Sequence, residues 1–318
     1  MTRVNIAVLL LLIIQSQSAA AGAATAFTAL PSSSSTRSRP FRHELRLSEV
    51  PAEDPGLTDD AVSLSGIPYA SVLQGLDILY PPTDLSSRNA VSRTDGYWPF
   101  VKDGNEPPQD LTYGEWDLPF FAQLVDRSFS HFKAGFRGNT VGEDWTGATF
   151  VDIGSGGGRL VLAAAALHRW RLCRGVEILP GLHAMAEANV AKCQNSPGIS
   201  MGGDFAGALP GSGLPLCPTE LTCGSIDDPA TTFIGDVDCA FVASSCMSPE
   251  VMQMIATAVG TQCRAGTVIT TTDYELPLQG SVGGRPWRME QLDTVDGYCW
   301  VVGGLSTAYI YRVVQSLA

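Results

Sequence analysis

Basic residues are scarce in this sequence. Twenty Lys and Arg stand against 32 Asp and Glu, a formal net charge of −12. That balance argues against a nucleic-acid or nucleosome surface, which needs clustered cations. Charged residues of both signs make up only 16% of the 318-residue chain, while 45% is hydrophobic, so the composition is that of a globular protein rather than a disordered one. No cysteine precedes Cys173, and none of the eight falls in a C-x-x-C pair. Cys217 and Cys223 are spaced neither for zinc nor for redox exchange, and no metal-ligand set is expected. Cys173, Cys223, Cys239 and Cys299 fall on expected strands, where a free thiol acts as a small apolar residue in a reducing compartment. The apolar run Ile6–Ile14 is too short to span a bilayer, so the mature protein is expected to have no transmembrane segment.

Acids are also missing from the first 43 residues; the first is Glu44. Arg3, the apolar run and the small-x-small site Ala24-Thr25-Ala26 predict a signal peptide over 1–26. Residues 27–43, with Phe27, Ser32–Ser35, Arg37, Arg39 and Arg42, are transit-like. A signal peptide followed by a transit segment opening on Phe resembles the bipartite plastid presequences of algae with complex plastids. The resemblance implies a plastid location, with secretion as the alternative.

Residues 148–177 carry the chemistry. The apolar run Ala148–Ile153 ends in Gly154-Ser155-Gly156-Gly157-Gly158, an Ala/Leu-rich helical run follows, and a second apolar run ends at Glu177. This is a strand–turn–helix–strand unit. Glycines at such a turn let the backbone approach a ligand, and an acid closing the second strand can accept bonds from both ribose hydroxyls. A dinucleotide fingerprint G-x-G-x-x-G/A counted from Gly154 and Gly156 fails at Arg159. Counted from Asp152 the spacing is Asp-x-Gly-x-Gly-x-Gly, ending at Gly158. An acid in the lead would repel a pyrophosphate but suits an ammonium group.

The rest of the chain alternates strands and helices. Residues 44–57 read as a linker, 58–80 as a helix stopped by Pro81-Pro82, and 81–112, with five prolines, as an extended segment. Asp117 is a candidate N-cap for a helix whose Phe121, Leu124, Val125, Phe129 and Phe132 form a core-facing stripe. Residues 134–147 read as a Gly-rich loop. Pro180 opens a helix to about Cys193, and 194–218 form a loop. Leu221–Ile226, Asp238–Ser244 and Thr267–Thr271 are the third, fourth and fifth strands, with a helix from Pro249 between the last two; Cys299–Val302 and Tyr309–Val314 form a terminal pair. The expected fold is α/β: a doubly wound, mostly parallel, seven-stranded Rossmann-like sheet over 111–318, with a linker and helical extension over 44–110.

The Asp152 to Gly158 spacing, with Glu177, resembles motif I of class I S-adenosylmethionine (SAM) methyltransferases. Three stretches are similar to the non-SET histone lysine methyltransferases, the disruptor-of-telomeric-silencing family, over about residues 110–275. They are Tyr113-Gly114-Glu115 followed by Ala122-Gln123-Leu124, the motif I segment with Gly175-Val176-Glu177, and Phe241–Val251 with its Pro249-Glu250-Val251. The resemblance implies SAM as cofactor. By it, Tyr113 and Glu115 close over the methionine end, and Asp152, Gly154, Ser155, Gly156 and Gly158 line the backbone of the ligand. Glu177 holds the ribose, Ser225, Ile226 and Asp227 flank the adenine, and Ala243 and Ser244 face the methyl group. The chain departs from that family where Ala243-Ser244 replaces a paired Asn and Trp116 replaces a Thr, and it lacks a basic surface. The SAM site therefore carries over better than the substrate site.

The implied reaction is in-line methyl transfer. One acceptor is a protein lysine, neutral in a channel of Trp116, Phe120 and Tyr274; Ser244 and Tyr274 are the candidate catalytic residues. A small plastid metabolite is the alternative acceptor, and a SAM-binding protein without transferase activity is the reading from another class. No general base stands out: His131, His168 and His183 read as surface or helix residues.

Overall fold

The structure, a computed structural model, describes residues 61–135, 142–196, 205–299 and 304–318. Residues 1–60, and with them the expected signal, transit and linker segments, lie outside the described residues.

An eight-stranded sheet organises the described chain in the order β3-β2-β1-β4-β5-β8-β7-β6. Its strands are β1 Thr149–Ile153, β2 Leu172–Glu177, β3 Thr219–Cys223, β4 Cys239–Val242, β5 Val268–Thr272, β6 Gln279–Val282, β7 Arg285–Cys299 and β8 Gly304–Gln315. The first five run parallel; β8 enters antiparallel to β5, β7 antiparallel to β8, and β6 antiparallel to β7. This is the doubly wound, mostly parallel sheet expected, with one strand more than the seven read from the sequence. The extra strand is β6, joined to β7 by Gly283-Gly284 with φ of +58° and +77°. Two consecutive positive φ values are what a two-residue hairpin turn requires, and Gly-Gly meets them without a Cβ penalty.

Seven α-helices surround the sheet among the described residues: α1 Tyr69–Leu79, α2 Leu85–Gly96, α3 Trp98–Lys102, α4 Leu118–Ala134, α5 Arg159–Leu167, α6 Pro180–Gln194 and α7 Pro249–Gln262. Strand side chains alternate between two cores. Phe150, Cys239, Phe241 and Ile310 face α1, α4 and α5. Val151, Ile153, Ala240 and Val242 face α7. Asp117 caps α4 as anticipated, its Oδ1 accepting from Phe120 N at 2.9 Å, and the whole aromatic-aliphatic stripe of α4 is buried.

The segment 81–112 is not extended: it holds α2 and α3. The buried face of α2 is Arg88, Ser92 and Gly96, a polar and small stripe invisible to a search for apolar periodicity. Helix α1 is shorter than expected, because 61–68 form a turn closed by a Val62–Pro68 bridge. Strand β3 starts at Thr219 rather than Leu221; of the expected strand Cys299–Val302 only Cys299 is described, as the last residue of β7, and 300–302 lie outside the described residues. His168 is a buried residue, 3% exposed, with Nε2 3.1 Å from Asp126 Oδ1 and Nδ1 3.1 Å from Ser65 Oγ. All eight cysteines are free, and only Cys246 is exposed.

Candidate cofactor site

Strands β1 and β2 end side by side, with Ile153 paired to Val176. The glycine loop turns over these ends, Gly154 N and Ser155 N both donating to Val176 O at 2.9 and 3.0 Å. Seating the loop this low requires Gly175, since a Cβ there would stand 2.8 Å from Ser155 Oγ and 2.9 Å from Leu221 and Val161. Glu177 then reaches under the loop. Its Oε2 accepts from Gly156 N at 2.7 Å and its Oε1 from Leu179 N at 2.8 Å. Burial raises its carboxyl above the usual range, against the pull of these backbone N–H groups.

Asp152 lies beneath the loop, 2% exposed. Its Oδ1 is buried without a hydrogen-bond partner among the described residues. Burial first, and the charge of Glu177 second, push its carboxyl up to about 8. A buried carboxyl without a partner is costly to ionise, so this position favours a cationic ligand.

Tyr113 closes the site from above. A Cβ on Gly156, where φ is +53°, would meet Tyr113 Cε2 at 2.6 Å, so the ring rests on the glycine itself. The Tyr113 hydroxyl donates to Glu115 Oε1 at 2.9 Å. Glu115 is buried between two guanidinium groups: Arg88 Nε donates to its Oε1, and Arg159 Nε is 3.8 Å from its Oε2. Arg159 also donates to Trp116 O at 2.8 Å. From α1, the Tyr80 hydroxyl donates to Gly157 O at 2.7 Å and pins the far side of the loop.

The result is a cavity of about 30 Å³, about the share of one water. Tyr113, Glu115, Asp152, Gly154, Ser155 and Gly156 line it, and so does Ala243 at the end of β4. These are residues the sequence grouped together. A ligand of nucleoside size enters only if the Tyr113 ring leaves the loop. Beyond Tyr113 lies a second cavity of about 370 Å³, lined by α2, α3 and residues 108–113.

Other anticipated residues stand apart. Gly158 is the N-cap residue preceding α5, with φ +81°. Ser225 O accepts from Thr232 Oγ1 at 2.7 Å, Ile226 packs in the α7-side core, and Asp227 is exposed. Ser244 is fully buried and its hydroxyl is committed to β5, donating to Thr272 O at 2.6 Å and accepting from Thr272 N at 3.1 Å. Tyr274 is 49% exposed, whereas Trp116 and Phe120 are core residues stacked at 6.1 Å. Of the three, only Trp116 borders the small cavity; Phe120, Tyr274 and Ser244 do not.

Arg88, Arg159 and Tyr80 escaped the sequence reading. Arg159 did leave a signal: it opens a helix whose nine residues are all buried, at the end where a cation opposes the helix dipole. Such an arginine needs an anion, and Glu115 supplies it.

No protein-family model matches the chain, and no curated protein matches it. Among solved structures, it is similar to an rRNA methyltransferase of Streptomyces viridochromogenes, with 13% identity over 63% of this chain and 86% of that one, at a TM-score of 0.41. It is also similar to the magnesium protoporphyrin IX methyltransferase of Synechocystis with bound SAM, at 15% identity, 64% and 88% coverage and a TM-score of 0.37. A third is a SAM-dependent methyltransferase of Clostridium acetobutylicum, at 12% identity, 62% and 99% coverage and a TM-score of 0.35.

Proposed function

We propose that the chain is a SAM-dependent methyltransferase acting on a small molecule. The observation that carries this is the unpartnered, buried Asp152 Oδ1 beneath a glycine loop braced by Glu177. The residues present fit the cofactor: an acid for its ammonium, a second acid for its ribose, and an aromatic lid. When bound, SAM supplies a methyl group already activated on a sulfonium.

The chain's own residues do the rest. Asp152, losing its proton to take an ammonium partner, would anchor the methionine end. Glu177 keeps lone pairs beside Gly156 N for ribose hydroxyls. Tyr113, held by Glu115, would swing from Gly156 and close over the occupied site, excluding water. Arg88 and Arg159 hold Glu115 in place from two sides. Since the methyl is activated, alignment alone can contribute ~7–11 kcal/mol.

Of the residues expected to line a lysine channel, Trp116 borders the small cavity and Phe120 and Tyr274 do not. The large cavity beside Tyr113 favours a small molecule instead. In this reading the presequence-like leader carries the activity to a plastid. The test incubates the full chain and labelled SAM with plastid extract. Label in the low-molecular-weight fraction, lost with Asp152→Ala, supports the reading; label only in protein would replace the acceptor, and none in either would remove the activity.

A further inference from the structure

The segment between Tyr80 and Trp116 covers the glycine loop, yet it buries no apolar side chain of its own. Its buried residues are Arg88, Ser92, Gly96 and Glu115. Tyr80 and Trp116, at its two ends, are 1% and 4% exposed and stay in the core. A stretch with few buried apolar contacts opens locally at far lower cost than the sheet beneath it. We propose that residues 81–115 form a lid that opens as one unit, fastened to the rest of the chain by Asp95 and Asp110. The passage of SAM beneath this lid rests on the methyltransferase reading; the lid itself does not.

The two fastenings are of one kind. Helix α6 follows β2, and its N-cap residue, Leu179, has no side-chain oxygen and caps nothing. The first N–H groups of such a helix need acceptors from elsewhere. Asp95 provides one: its Oδ2 accepts from Gly181 N at 2.7 Å. A Cβ on Gly181 would stand 2.6 Å from that oxygen, so only glycine admits the approach. Helix α7 follows β4. Ser248 caps it from within, Oγ accepting from Val251 N at 3.3 Å, while the N–H of Ser248 itself donates to Asp110 Oδ1. In a capping box that second role falls to a Glu or Gln at the third helical position. Here that position is Val251, and the lid supplies the carboxylate. Both aspartates meet the positive end of a helix dipole. Glu177 ends β2 and Ala243 follows β4, so the two fastenings flank the cofactor site.

Among the described residues, these are the two hydrogen bonds that join 81–115 to the rest of the chain. The other close polar contacts are internal to the lid. Arg88 Nε donates to Glu115 Oε1, Arg88 Nη1 to Pro81 O at 2.9 Å, and the Tyr113 hydroxyl to Glu115 Oε1 at 2.9 Å. Toward the sheet, Glu115 Oε2 stands 3.8 Å from Arg159 Nε, beyond hydrogen-bond reach. Apolar contacts across this seam are small: Gly96 lies over Leu179, and Val91 beside Gly181. The seam therefore runs through Asp95, Asp110 and the Glu115–Arg159 gap. When it opens, Arg88, Glu115 and Tyr113 travel together, and the Tyr113 ring leaves Gly156 with them.

Hydrogen–deuterium exchange on the full chain, without SAM, reads the lid directly. Opening frees the amides of Gly181 and Ser248 together. It also frees those of α2, whose 12 residues are too few to stay helical alone. We expect all three to exchange through one common opening while β1 and β4 stay protected. Asp110→Ala should raise exchange about fivefold at Ser248, as for the loss of a helix cap, and by the same factor at Gly181 and in α2, which Asp110 does not touch. Asp110→Asn should restore most of the protection, since its amide oxygen accepts the same bond. Asp95→Ala should act likewise, and the double variant by the product of the two. Unchanged exchange in β1 and β4 shows that the variants fold. Stopped-flow tryptophan fluorescence then follows SAM through Trp116, which borders the site. In Asp110→Ala the association and dissociation rate constants should rise together, with little change in Kd, because SAM enters and leaves through the same opening. Exchange raised only at the mutated contact would overturn the proposal. So would SAM rates left at wild-type values in a variant whose lid exchange has risen, because the Tyr113 ring alone would then admit the ligand. Coupled exchange with no SAM binding by wild type would keep the lid and remove the cofactor reading.

Discussion

Asp152 carries the account at the scale of single residues. Its carboxyl titrates near 8 in the fold, because burial and Glu177 disfavour its charge, against ~3.9 in an unfolded chain. The folded state thus holds a proton that the unfolded state loses, and stability falls as pH rises from about 4 toward 8. Asp152→Asn removes this fall. We expect the variant to melt higher than wild type at pH 8, with the gap closing by pH 4, while SAM binding is lost; thermal melts across that range check it. Glu115, unlike Asp152, has partners: it is buried between Arg88 and Arg159. Glu115→Gln should cost about 3–5 kcal/mol in denaturant unfolding, the usual effect of breaking a buried pair. Asp152, Glu177 and the glycines were legible because they lie close together in the chain and their spacing is the signal. Arg88 and Tyr80 were not, since only the fold brings them to the glycine loop.

Elements were legible wherever their buried face is apolar. Helix α4 shows this: cap, stripe and partner core all follow from its sequence. Asp117→Ala should cost about 1 kcal/mol, read from chemical denaturation. Helix α2 shows the converse. Its inward face of Arg88, Ser92 and Gly96 binds a carboxylate and packs close to Leu111, so no hydrophobic pattern announces it. The β6–β7 hairpin had a signal in Gly283-Gly284, but its strands are too exposed to alternate clearly. What fixes the hairpin is Trp287, buried between Gly260 of α7 and Gly280 of β6. A methyl on Gly260 would collide with that ring, so Gly260→Ala should cost about 1–3 kcal/mol by overpacking, measured by its thermal shift.

For the molecule as a whole, the strand order places the carboxyl ends of β1, β2 and β4 together, and the segment 80–116 folds back over them. The parallel sheet was readable from alternating strands and helices, and Tyr113 and Glu115 were expected to close over its end; helices α2 and α3 of the cover were not, because the inward face of α2 is polar and its partners are distant in sequence. We propose that this covered end binds SAM through Asp152. The most direct measurement is calorimetric titration of the full chain with SAM at pH 7 in two buffers of different ionisation enthalpy, alongside Asp152→Ala. The account predicts one SAM per chain, a proton released to buffer on binding as Asp152 ionises, and no binding by the variant. Absence of binding by wild type, or binding that Asp152→Ala leaves intact with no proton released, would contradict it.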